Sequence, residues 1–196
     1  MSQALKPQDI VILLKILAKM TLPKNASLAV LSQNKLAMWL CLSPSEVNAG
    51  IKRLIASGLL GELYDSAGNE LRSTKGKIFL PIKTACEECL ISGVKYFFPA
   101  ELGSYTRGIP TSYAASIFKQ HIRIGQDPIP IWSYAQGEHK GLALEPLYSS
   151  VPRSVHEHPD PLFYDLLTLI DAIRSGRARE RNIGIKLLKE RLDAKS

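Results

Sequence analysis

Nowhere in the 196 residues is there an apolar run approaching the roughly 20 residues needed to cross a bilayer. The opening Met1-Ser2-Gln3-Ala4 carries neither a basic stretch nor an apolar block, so no secretory leader is expected and the chain reads as cytoplasmic, away from membranes. Cysteine is scarce: Cys41, Cys86 and Cys89 are three in number, which excludes a fully paired disulfide framework and predicts reduced thiols. A complete phosphate-cradling glycine loop is missing, as are a serine nucleophile elbow and any catalytic constellation, so neither an enzyme nor a cofactor is expected. Internal repeats and low-complexity segments are missing too.

What is present suits an ordinary folded chain. With 45% hydrophobic and 22% charged residues, the sequence can bury one substantial core or two small ones. Acidic residues are in deficit, leaving a net charge of +7 that favours contact with phosphates or acidic surfaces. The excess is uneven: residues 1–80 hold ten Lys and Arg against five Asp and Glu, whereas residues 81–196 hold fifteen against thirteen.

Helical periodicity dominates the first third. Ile10, Leu13, Leu14 and Leu17 share one face of a helix over Lys6–Met20, widened by Val11, Ile16 and Met20, and Thr21–Asn25 with Pro23 ends it. A short extended piece is expected at Leu28–Leu31. Ser32 can then cap a second helix to about Leu40, with Leu36, Ala37 and Leu40 inward.

The third helix is the best marked. Ser43 precedes Pro44 at the favoured first helical position and Glu46 three residues on, the spacing of a capping box. Val47, Ile51, Leu54 and Ile55 form an apolar stripe, and Gly58 stands where a left-handed cap is wanted. The other face, Ser45, Asn48, Ala49, Lys52 and Arg53, is small, polar and basic. A strand over Leu59–Tyr64, a turn at Asp65–Asn69 and a return path over Glu70–Leu80 follow, with Arg72, Lys75 and Lys77 along or near the tip.

Three helices and a hairpin in this order, with "LAMWLCLSPSEVNAGIKRLIASGLL" across the second and third helices, resemble winged helix-turn-helix transcription regulators of the MarR-like kind. The resemblance covers Lys6 to Leu80 and implies a DNA-binding domain. A helix fits the major groove, with residues near its N-terminus at base edges and its dipole favouring phosphate. Ser43, Ser45, Asn48 and Lys52 are the DNA-binding candidates at that end, the last three on the uncommitted face. Arg53, Arg72, Lys75 and Lys77 are candidates for neutralising phosphates.

The remainder is less regular. A helix is expected over Lys83–Ile91 ending at Gly93, then a short strand, Val94–Phe98, stopped by Pro99. Residues 100–153 read as loops with one hairpin, Ile129–Tyr134 with Leu142–Leu147. Asp160-Pro161 starts a helix carrying Leu162, Leu166, Leu167, Leu169 and Ile170, and a last helix runs from about Ala178 to Leu192. Arg174, Arg177, Arg179 and Arg181 cluster at the junction, either as a solvated tip or facing phosphate or an acidic partner.

Cys86-Glu87-Glu88-Cys89 is half of a four-ligand zinc site without a partner spacing among Cys41, His121, His139, His156 and His158, so no metal is expected there. His156-Glu157-His158 precedes Pro159 and reads as a loop or helix lead-in.

The sequence therefore predicts an α+β protein: a winged helix-turn-helix at 5–82 and an irregular α+β extension at 83–196 ending in two helices. The expected function is sequence-specific binding of double-stranded DNA by a homodimeric repressor, with a dimer surface from the first helix and the extension. Two other classes stay open. One is an antitoxin-type interaction module, loosely similar to type IV antitoxin regulators, whose extension binds a protein partner. The other is a sensor holding a small ligand near Tyr96, Phe97 and Phe98.

Overall fold

The computed structural model describes residues 4–20, 32–62, 72–73, 76–77 and 79–193. They form a mixed α+β chain that divides into two compact units, Met1–Cys86 and Glu87–Ser196.

The first unit begins with α1 (Pro7–Lys19), whose residues from Asp9 to Ala18 are all buried. Two shorter helices, α2 (Gln33–Leu40) and α3 (Pro44–Ala56), pack with it. Leu36, Ala37 and Leu40 of α2 and Val47, Ile51 and Leu54 of α3 are buried as their spacing requires, while Ile55 is half-buried. Fully burying each large aliphatic side chain contributes roughly 1.5–3 kcal/mol, so this three-helix cluster holds the unit. Between α2 and α3, Cys41 adopts φ 52, and the Leu42 N–H returns to the Ala37 carbonyl at 3.0 Å. That left-handed step compresses the link between the two helices to three residues.

After α3, Gly58 takes φ +73, as expected of the residue beyond a helix C-terminus. Strand β1 (Leu60–Glu62) pairs antiparallel with β4 (Phe79–Pro81), with Gly61 opposite Leu80. Strands β2 (Arg72–Ser73) and β3 (Gly76–Lys77) pair antiparallel with Arg72 opposite Lys77, so the return path carries a second pairing of its own. Lys75, the extended piece at Leu28–Leu31 and the turns at Thr21–Asn25 and Asp65–Asn69 lie outside the described residues.

Helix α4 (Lys83–Glu88) runs into a π-helical turn, Cys89–Gly93, and on into α5 (Val94–Phe97). The strand expected at Val94–Phe98 is therefore corrected to helix. The Val94 N–H reaches the Cys89 carbonyl, and this wide turn carries the chain through Gly93 without a break. Only Val94 of the run is buried; Tyr96 and Phe97 are about three-quarters exposed.

The second unit is built on β5 (Leu102–Pro110), which the sequence did not announce. Two short 3-10 turns, Ser112–Ala114 and Ser116–Phe118, follow it. It pairs antiparallel with both β6 (Pro130–Ser133) and β7 (His139–Leu144), and these two pair parallel with each other, closing a three-stranded barrel. The expected β6–β7 hairpin is thus overturned. Gly137, in the connection after β6, instead packs against Gly108, where its Cβ would overlap the β5 backbone, and a Cβ on Gly108 would overlap the backbone of Trp132 in β6.

Helix α6 (Val151–Glu157) contains His156 and Glu157, with the His156 ring 5.1 Å from that of Tyr134. Helix α7 (Pro161–Ser175), capped by Asp160, packs with α8 (Ala178–Asp193). The centre of this unit is Asp171. Its carboxylate accepts from Trp132 Nε1 at 2.6 Å, Arg174 Nη1 at 2.7 Å and Thr111 Oγ1 at 2.8 Å. Burial pushes its carboxyl pKa upward, and Arg174 with the two neutral donors opposes that. Arg174 also donates to the carbonyls of Phe98, Pro99 and Glu145. Arg174 is therefore a structural clamp and not part of an open basic cluster.

Candidate nucleic-acid interface

The start of α3 is fixed by its own first turn. The Ser43 N–H donates to Glu46 Oε2 at 2.9 Å, and the Glu46 N–H donates to Ser43 Oγ at 3.2 Å. Ser43 Oγ also donates to Glu46 Oε2 at 2.7 Å and lies 3.0 Å from Ser45 Oγ. Ser43 is exposed, but its hydroxyl is committed to the cap, and the Glu46 carboxylate places negative charge where the helix dipole would otherwise favour phosphate.

The four other sequence candidates on α3 separate sharply. Ser45 and Lys52 are exposed and Asn48 is half-buried. Their spacing of three and then four residues puts them on one face spanning about 10 Å of helix. Among the described residues, Asn48 and Lys52 carry no intrachain hydrogen bond or ion pair, so their polar ends are available to another molecule. Arg53 belongs elsewhere.

Arg53 is only 8% exposed, and its guanidinium grips the fully buried Asp9 of α1. Arg53 Nε donates to Asp9 Oδ2 and Nη2 to Oδ1, each at 2.7 Å. This bidentate pair, chiefly through its hydrogen bonds, raises the Arg53 pKa despite burial and holds the side chain charged. The expectation that Arg53 meets phosphate is therefore corrected: a guanidinium already holding a buried carboxylate has no reach to a backbone outside. Asp9 serves twice, since its Oδ2 also accepts from the Lys6 N–H at 2.8 Å and so helps start α1.

Gly50, inside α3, faces this pair. A Cβ there would lie 2.5 Å from Ile12 Cδ1 and 2.9 Å from Asp9 Oδ1, so the missing side chain is what lets α1 and α3 approach. Sequence reasoning missed both Asp9 and Gly50. The available signal was an acid inside an otherwise apolar helix, but at the third helical position Asp9 also reads as an ordinary cap, and its partner lies 44 residues away.

The free basic surface of this unit is smaller than composition suggests. Lys15 Nζ and Lys19 Nζ lie 5.5 and 5.1 Å from the centroid of Trp39, a cation–π arrangement within the unit. Arg72 and Lys77 stand opposite each other in backbone register on β2 and β3. Cys86 is buried and its Sγ donates to the Leu59 carbonyl at 3.3 Å, while burial and, secondarily, Glu88 push the Cys89 thiol pKa up.

The chain matches no protein-family model, no curated protein and no solved structure. No helix among the described residues is long and apolar enough to cross a membrane.

Proposed function

We propose that the protein is a sequence-specific DNA-binding transcriptional regulator, a homodimeric repressor whose N-terminal unit is a winged helix-turn-helix. The observation that carries this reading is the division of α3: Val47, Ile51 and Leu54 are buried, while Ser45, Asn48 and Lys52 present an open polar face. Asn48 would pair with adenine and Lys52 with guanine or a phosphate, and the β2–β3 segment with Arg72, Lys75 and Lys77 would hold the backbone. The order of three helices followed by antiparallel strands supports the assignment of α3 as the groove-entering helix.

A single α3 would contact few base pairs, so two copies on related half-sites are proposed. Their contact does not come from α1, which was expected to contribute: Ile10 through Ile16 are 1% exposed or less within one chain. The extension supplies it.

The test is an electrophoretic shift against the DNA upstream of the protein's own gene, at fixed salt. Asn48→Ala and Lys52→Ala are each expected to weaken binding by about 1–3 kcal/mol. Wild-type protein that binds no better than either variant overturns the assignment of this face. A second reading, protein partnership through the extension, is favoured by Tyr96 and Phe97, which are 75% and 74% exposed. Selection from random duplexes separates the two, because a pure interaction module enriches no sequence.

A further inference from the structure

The second unit contains a cleft of about 510 Å³ between the end of β5, the loop at residues 122–128 and the α7–α8 junction. Its size is that of a small-molecule site. Tyr96, Phe97 and Phe98, the ligand candidates suggested by sequence, do not line it.

Two polar groups in its wall are buried without a partner. Ser112 is 1% exposed and its Oγ makes no hydrogen bond; Glu180 Oε2 is likewise buried and unpaired. A buried hydroxyl and a buried carboxylate oxygen left unmatched in one cleft wall are each costly, and a donor brought in by a ligand would answer both. Ser112 also has φ 50, one of two positive values at non-glycine positions among the described residues. Its backbone is pinned on either side, by the Thr111 N–H to the Pro130 carbonyl at 3.0 Å and the Ala115 N–H to the Ser112 carbonyl at 3.1 Å. Strain held in this way at a cleft wall is characteristic of a site that orients a ligand.

The remaining wall has both signs of charge and an apolar part. Arg177 and Arg123 are exposed and bring guanidinium groups, while Leu142 and Ile122 bring hydrocarbon. Burial, and then Glu180, push the Tyr113 phenol pKa up, so it stays a neutral hydrogen-bonding group at the rim.

We propose that this cleft binds a free amino acid with an apolar side chain. Its ammonium would sit on Glu180 and Ser112, its carboxylate on Arg177 and Arg123, and its side chain on Leu142 and Ile122. An ammonium supplies donors to both orphaned oxygens, and a carboxylate matches a guanidinium fork. A plain anion would meet the Glu180 charge, and a plain amine would leave both arginines idle. This site stands independently of whether α3 meets DNA.

Calorimetric titration of the full chain with leucine, isoleucine, valine, methionine and phenylalanine tests it, with isoamylamine and isocaproate as probes that each keep one end of leucine. At least one amino acid is expected to bind with a measurable Kd and to raise the melting temperature. The two one-ended probes should bind at least about tenfold more weakly, since each leaves a charged partner unmatched. Glu180→Gln and Arg177→Ala should each cost about tenfold or more; Arg177 is exposed, so its removal leaves the fold in place even where Glu180→Gln does not. Absence of binding by all five amino acids overturns the proposal, as does binding that survives both variants or isocaproate that matches leucine.

Discussion

Asp9 and Arg53 show how much one buried pair can decide. A carboxylate with no exposure is tolerable only while its charge is answered, and the bidentate guanidinium answers it with two 2.7 Å contacts. Asp9→Asn, which leaves the buried guanidinium without a counter-charge, is expected to cost about 3–5 kcal/mol, read as a lowered urea midpoint. Lys52→Ala, on the open face of the same helix, should change stability by no more than about 0.5 kcal/mol. Tyr164 supplies a pH signature. Its hydroxyl donates to the Pro110 carbonyl at 2.7 Å, and burial, with Asp165 adding, pushes its pKa from the usual 10 to about 12. The folded state thus keeps a proton that the unfolded chain gives up. The resulting stability is complete below about pH 10 and is lost as pH climbs toward 12, at no more than about 1.4 kcal/mol per pH unit. The stability advantage of wild type over Tyr164→Phe should therefore shrink between about pH 10 and pH 12 in denaturant titrations; a constant difference would contradict this assignment.

At the scale of elements, local signals were legible and distant ones were not. The boundaries of α3 follow from Ser43, Pro44, Glu46 and Gly58, all within reach of the helix ends they define, and the structure places its start and cap there. The path of β5 could not be read, because Gly103, Gly108 and Pro110 break any alternation and its partners lie 20 or more residues away. Likewise nothing local distinguishes a parallel β6–β7 pair from a hairpin; the shared antiparallel partner decides it. At Val94–Phe98 the aromatic composition favoured a strand, but a continuing helix burying Val94 alone prevailed. The candidate face was half legible: Ser45, Asn48 and Lys52 lie where helical spacing puts them, whereas the removal of Arg53 depends on a contact 44 residues distant. Gly50 tests the packing of α1 with α3. Gly50→Ala gains helix propensity yet forces a methyl against Ile12, and is expected to destabilise by about 1–3 kcal/mol in chemical melts.

For the whole molecule, charge is the property to measure. The count of 25 Lys and Arg overstates the cations free to meet a polyanion, since Arg53 and Arg174 are both consumed internally by buried carboxylates. Under the proposed function, affinity for duplex DNA should therefore follow salt with a slope set by a small number of phosphate contacts, each contributing about 0.9 to the logarithmic slope. Lys52→Ala, if that residue meets phosphate, should lower the slope by about 1; an unchanged slope with weakened binding would assign it to a base.

The shared use of the Asp9 carboxylate reaches further than stability. Because one oxygen takes both the Lys6 amide and the Arg53 guanidinium, tilting α3 would also unseat the beginning of α1. The exposed face of α3 is thus a fixed stylus: in the proposed complex it would arrive already shaped, forfeit little freedom on contact, and leave accommodation to the duplex.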